Sequence, residues 1–202
     1  MKYLNKLALC FMIALTLTVT ACTTSKNTTQ PTNQTPMIMV DGRLYKDTGL
    51  ISSFVQKGIP DGTIDSCIEG DLSPNKDNES NFGTNYDYIV MEDEIDVYMN
   101  GHWEIFTTDP NAQSFPKGVA HIDGIVQSIN NNQLTIHVTN IPSHYDLEVL
   151  ETSSNDPLLV SFTSNKDLNN DMLNKTVTVY FDGSIKEGNP LQLTHVYDIV
   201  TK

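Results

Sequence analysis

The chain has 202 residues, with 25 acidic and 12 basic side chains and a formal charge of −13. Binding nucleic acid requires clustered Lys and Arg to displace counterions, so this balance excludes a nucleic-acid partner. The same charge repels anionic lipid headgroups, so any membrane attachment has to come from something other than electrostatics.

Residues 1–21 contain Lys2 and Lys6 and no acid, followed by an apolar run over residues 7–19 broken only by Thr16 and Thr18. That is the layout of a secretory signal, and the run is short of the roughly 20 apolar residues a bilayer span requires. It ends in Val19-Thr20-Ala21-Cys22, which resembles the bacterial lipoprotein signal, where a small residue precedes a cysteine that is diacylglycerylated before cleavage. The resemblance implies that residues 1–21 are removed. Cys22 becomes a lipidated N-terminus bearing diacylglycerol and palmitate, and the protein is held at the extracytoplasmic face of the cell membrane. The alternatives are an ordinary signal peptide or a transmembrane helix with a coincidental cysteine. Two or more acyl chains on one residue suffice for lasting residence at a membrane surface.

Residues 22–36 offer no apolar side chain except proline beyond the cysteine and read as a tether. Loss of Lys2 and Lys6 takes the mature chain to −15. Cys10 leaves with the leader and Cys22 is lipidated, which leaves Cys67 without a disulfide partner in the chain. It reads as a small hydrophobe, with a reactive or intermolecular thiol as the alternative.

Residues 37–108 are expected to form a β-hairpin domain. Asp41-Gly42 separates Met37-Ile38-Met39-Val40 from Arg43-Leu44-Tyr45, and Asn100-Gly101 separates residues 95–99 from residues 102–106. Two-residue type I′ turns need positive φ at both central positions, which Asn or Asp followed by Gly supplies. Asp61-Gly62 opens a further strand candidate at residues 63–69, and residues 50–57 show weak helical periodicity. In the hairpin, alternation puts Trp103 and Ile105 on one face and His102, Glu104 and Phe106 on the other. Trp103, the only tryptophan, reads as a core anchor rather than a ligand platform.

Residues 109–117, bounded by Pro110 and Pro116, read as a linker, and residues 118–202 as a second domain. The expected strands are residues 118–129, with a bend at Gly124, then 133–139, 158–163, 176–181 and 191–200. Asn130-Asn131-Asn132 forms a turn, and residues 167–174 form a short helical turn before the fourth strand. A long first strand hairpinned to a second, then a third, a short helix and two final strands is the order of an OB-like five-stranded barrel. The fold class is therefore all-β: two small β domains, the second an OB-like barrel, behind a signal peptide and a flexible tether.

Residues 176–185, Asn189-Pro190-Leu191-Gln192-Leu193 and Val196-Tyr197-Asp198-Ile199 resemble the closing half of the YobA-like domain of lipoproteins from low-GC Gram-positive bacteria, an OB-like family of unknown function. Residues 36–45, with Asp47-Thr48-Gly49, residues 77–83 and residues 97–101, are similar to a small module of clostridial lipoproteins. The same module occurs at the outer end of membrane metallopeptidase-type antibiotic sensors. The two resemblances cover nearly all of the mature chain, and neither implies a catalytic residue.

No nucleophile elbow, phosphate-binding glycine loop, His-Glu-x-x-His helix or paired-cysteine zinc spacing occurs. His121 and His137 fall on the outer face of the barrel, where His195 could join them, and solvated strand histidines are the simpler reading. Oxygen-rich loops at Asp77 and Glu79, and at Glu92, Asp93, Glu94 and Asp96, supply the donors Ca²⁺ prefers without EF-hand spacing; a solvated acidic surface is the alternative. Ca²⁺ is the only cofactor these residues suggest. On the barrel, OB-type ligand binding would use Thr135, His137, Thr139, Tyr145 and Phe162. The expected function is a non-catalytic, membrane-anchored module for protein binding or envelope sensing, its partner an unidentified envelope protein. A solute or cation binder is the alternative, and an envelope hydrolase the third.

Overall fold

The computed structural model describes residues 34–54, 59–153, 157–164, 168 and 170–202. The leader, Cys22 and the tether up to Asn33 lie outside the described residues, as do residues 55–57 of the weakly helical segment and Asp167 and Asn169. Among the described residues no helix is long and apolar enough to cross a membrane. The architecture is all-β, in two sheets.

The first sheet is built from β1 (Met37–Val40), β2 (Arg43–Ile51), β3 (Gly62–Thr63), β4 (Ser66–Cys67), β5 (Glu79–Ser80), β6 (Asp87–Met91), β7 (Glu94–Met99) and β8 (His102–Thr107). Its order is β3-β6-β7-β8-β2-β1-β5-β4. The Asp-Gly and Asn-Gly turns form as expected: Asp41 and Gly42 have φ of 50° and 70°, Asn100 and Gly101 of 56° and 90°. The stretch read as one strand at residues 63–69 is two, broken at Ile64-Asp65. β3 pairs with β6, whereas β4 pairs in parallel with β5 at the other end of the order. The sheet therefore curls until its two edges lie two residues apart, with Ile64 fully buried between them. Around it pack Ile38, Val40, Tyr45, Tyr88, Ile95, Val97 and Phe106.

The second sheet comprises β9 (Ala120–Asn130), β10 (Gln133–Asn140), β11 (Leu159–Thr163), β12 (Thr176–Phe181), β13 (Ile185–Lys186), β14 (Leu191–Leu193) and β15 (Val196–Thr201), with α1 (Glu148–Glu151) after β10 and a 3-10 turn at Asn170–Met172 before β12. The expected final strand, 191–200, is broken at Thr194-His195. Its first half, β14, runs parallel to β11, and its second half, β15, runs antiparallel to β12. With β10 between β9 and β11, and β12 on the other side of β9, this is the OB-like strand order. Gly124 sits where β9 pairs with both β10 and β12. A Cβ there would lie 2.8 Å from the His137 carbonyl oxygen, so the close approach of β10 requires glycine at this point.

Candidate functional site

The joint between the sheets organises the surface. The end of β2 continues through Ser52, Ser53 and Phe54 onto the barrel. The Ser53 N–H donates to the Gly118 carbonyl at 2.9 Å, and its own carbonyl accepts from the Asp146 N–H at 2.8 Å. Phe54 makes a β-bridge with Tyr145, and the Ile51 N–H donates to the Tyr197 hydroxyl on β15 at 3.2 Å. The linker is held from both sides. Its Phe115 stacks on Tyr180 of the barrel at a centroid distance of 4.4 Å. Glu94, on β7, accepts the Lys117 N–H at 3.0 Å and the Gly118 N–H at 2.8 Å.

Glu94 is 5% exposed, so burial pushes its carboxyl above the usual range, against the two backbone N–H groups that favour the charged form. It is a buried carboxylate that fixes the linker. The Tyr145 hydroxyl donates to the Lys117 carbonyl at 3.1 Å and lies 2.9 Å from His121 Nδ1. Burial holds the His121 imidazole below its ordinary pKa and raises the Tyr145 and Tyr197 hydroxyls.

The other expected cation ligands are dispersed among similar structural roles. Asp77 accepts the Gly42 N–H at 2.7 Å, and Glu79, buried, accepts the Asn75 N–H at 2.9 Å. Glu92 is ion-paired with Lys117 across the linker. Asp93 is 91% exposed with Arg43 3.9 Å away, and Asp96 is fully buried on β7. Among the described residues no three acidic, histidine or cysteine side chains converge as a metal site. Asp77, Glu79 and Glu94 thus spend their oxygens on backbone N–H groups of other segments, which ties the loops together.

The expected ligand face of the barrel is not one surface. Thr135, His137 and Thr139 point outward on β10, but Phe162, 2% exposed, and Tyr145 belong to the barrel core. His121, His144 and Tyr145 come together at the joint, where the Tyr145 ring lies 5.3 Å from that of His121 and 4.1 Å from that of His144, centroid to centroid. His195 instead faces Asp182, at 2.9 Å.

Trp103 is also placed differently from the expectation. The register of β7 and β8 sets Ile95, Val97 and Phe106 on the core face and Glu94, Asp96, Ile105 and Trp103 on the other. Trp103 is partly exposed and packs on Tyr98 at 5.2 Å. Both faces are covered over much of their length, Glu94, Asp96 and Ile105 being buried as well, so alternation fixes which residues share a face and not how far each face is covered.

Two cavities flank the joint. One, of about 580 Å³, lies between the first sheet and the linker. Leu50, Met91 and Phe115 give it apolar walls, Asp93 and Asp109 contribute acidic groups, and Glu92 lines it together with its ion-pair partner Lys117. The other, of about 540 Å³, opens between Trp103 and the barrel loops that carry Asp146 and Asp182. Ser52, Ser53 and Gly183, which shape it, carry no motif that marks them in the sequence. No family model, curated protein or solved structure matches the chain.

Proposed function

We propose that this chain is a non-catalytic, lipid-anchored module at the extracytoplasmic face of the cell membrane, where it engages an envelope protein. The leader layout, Cys22 and the polar tether support the address. The likeness to the YobA-like domain and to sensor ectodomains supports the class. The binding half of the reading is carried by one observation: the cleft under the linker has walls fixed by the joint. Glu94 and Phe115 hold the linker from both sheets, and the cleft sets Leu50 and Met91 beside Asp93 and Asp109, with Glu92 paired to Lys117 in the same wall. A prearranged pocket of this composition suits a partner segment with a basic side chain next to an apolar one, because ordering costs little and the charges are complementary.

A photo-crosslinking residue at the exposed Gln113 tests this in intact cells, with Glu187 in the barrel as the control position. The expected result is a discrete adduct from Gln113 alone that disappears in the Asp93→Lys, Asp109→Lys double variant. Absence of an adduct, or the same adduct from Glu187, contradicts the reading. Cys22→Ala is expected to release the protein from the membrane fraction, and its retention there contradicts the anchor.

A further inference from the structure

The second cavity has the chemistry of a different ligand. One wall is Trp103 on β8, flanked by Tyr98, which is 46% exposed. The facing wall belongs to the barrel and carries Asp146, Asp182 and Ser184. Between the walls, Ser53 is locked by backbone bonds to Gly118 and Asp146. Gly183, at φ +81°, packs so closely that a Cβ would lie 2.3 Å from the Ser53 hydroxyl. The walls are held apart at a set spacing before anything binds.

We infer that this pocket binds a neutral oligosaccharide, with one sugar ring stacked on Trp103 and its rim hydroxyls donating to Asp146 and Asp182. A pyranose presents C–H groups on its faces and hydroxyls around its edge. The C–H face packs on the electron-rich face of an aromatic ring, and hydroxyls need acceptors as well as donors. Asp182 is held in place at the cavity wall. Its side chain is 7% exposed, Oδ1 accepts the Ser184 N–H at 2.8 Å, and Oδ2 faces His195. A carboxylate accepts about four hydrogen bonds, so capacity remains.

Among the described residues no Lys or Arg lines the cavity, and the two histidines beside it, His102 and His195, already face Glu104 and Asp182, so an acidic sugar or a phosphate would meet Asp146 and Asp182 with no further cation to offset them. An extended peptide would look for a free strand edge, and β8 has both edges occupied, by β7 and β2. The volume of about 540 Å³ falls within the roughly 300–1,000 Å³ of small-molecule sites, and junctions between domains are favoured places for them. The site goes beyond the partner-binding reading and depends on neither the lipid nor the linker cleft.

Trp103 is the chain's only tryptophan, so its fluorescence reports on the pocket directly. The probes are chitotriose, cellotriose and maltotriose, with trigalacturonate as the anionic control. At least one neutral trisaccharide is expected to give a saturable emission change, and trigalacturonate none. By titration calorimetry Trp103→Ala abolishes the heat of binding, and Asp182→Asn weakens affinity at least tenfold (about 1.4 kcal/mol). Asp146→Ala, at an exposed position that leaves the fold intact, also weakens binding. The inference is overturned by no response to any neutral trisaccharide at about 10 mM, roughly tenfold above a 1 mM dissociation constant. Binding undiminished in both Trp103→Ala and Asp146→Ala, or equal binding of trigalacturonate, overturns it as well.

Discussion

In the barrel the strand that closes the sheet breaks at Thr194-His195, and in the first sheet the closing stretch breaks at Ile64-Asp65, so both bring their edges together through a short interruption. Their interiors differ. Among the described residues the barrel cluster holds sixteen buried side chains, against eight in the first sheet. The first sheet makes up the difference with buried polar groups: Glu79, Ser80, Asn81, Glu94 and Asp96. Asn81 alone accepts the Met37 N–H at 2.7 Å and donates to the Gly70 carbonyl at 3.2 Å. Apolar area is tolerant of detail, whereas a buried polar group is worth little unless each partner is in place. The barrel interior is mainly apolar, while the first sheet relies more on particular hydrogen bonds, those of Glu94 at the joint among them.

The largest effect is expected from Phe181→Ala, which empties a fully buried position in the barrel. It should cost about 3–5 kcal/mol in chemical denaturation. Next is Glu94→Ala, which removes the acceptor of the Gly118 N–H, in a buried setting, and should cost about 1–3 kcal/mol. Because the joint is shared, both the Trp103 fluorescence and the far-UV circular dichroism should report that loss. If Glu94→Ala moves neither, the joint is incidental and the contrast between the halves fails.

A smaller effect is set by pH. Burial holds His121 below its ordinary pKa, with Asp123 acting against that and His144 and Lys202 reinforcing it. The unfolded chain then takes up a proton first, so the contribution of His121 is complete above about pH 6.5 and is lost as pH falls through the folded value. The His121→Gln variant should lose less stability than the parent between pH 7.5 and 5.5 (about the range where an unperturbed imidazole titrates), as measured by thermal melts. Glu94 has the opposite sign. Its raised pKa favours the fold below about pH 4.5, and that contribution is lost as pH rises through the folded value. Least of all should follow from Lys117→Ala. Its ion pair with Glu92 is exposed at both ends, so no measurable change in Tm is expected.

The same contrast governs what can be read from residues. The barrel order is legible because its strands alternate cleanly and Asn131 and Asn132 supply the turn, with φ of 47° and 65°. The break at Thr194-His195 is not, since a strand shared between two neighbours remains one apolar run. In the first sheet the Asp-Gly and Asn-Gly turns are visible, but the β6–β7 hairpin is not. Its turn is Glu92-Asp93, with Glu92 at φ 49° and no glycine to announce it. The acidic run stands out in the sequence for its oxygens, yet only the fold makes Glu94 face the linker while Asp93 faces water. Ser53 and Gly183 gain their importance only from contacts across long sequence separations. Trp103 is conspicuous in the sequence, and the register of β7 and β8 is what makes it a wall of a pocket rather than a core anchor.

The coupling of the two sheets through the joint is tested most directly by unfolding the protein in denaturant while following Trp103 fluorescence for the junction and far-UV circular dichroism for the strands together. Coupling predicts coincident single transitions in the parent that separate in Glu94→Ala. Two resolved transitions in the parent would contradict it.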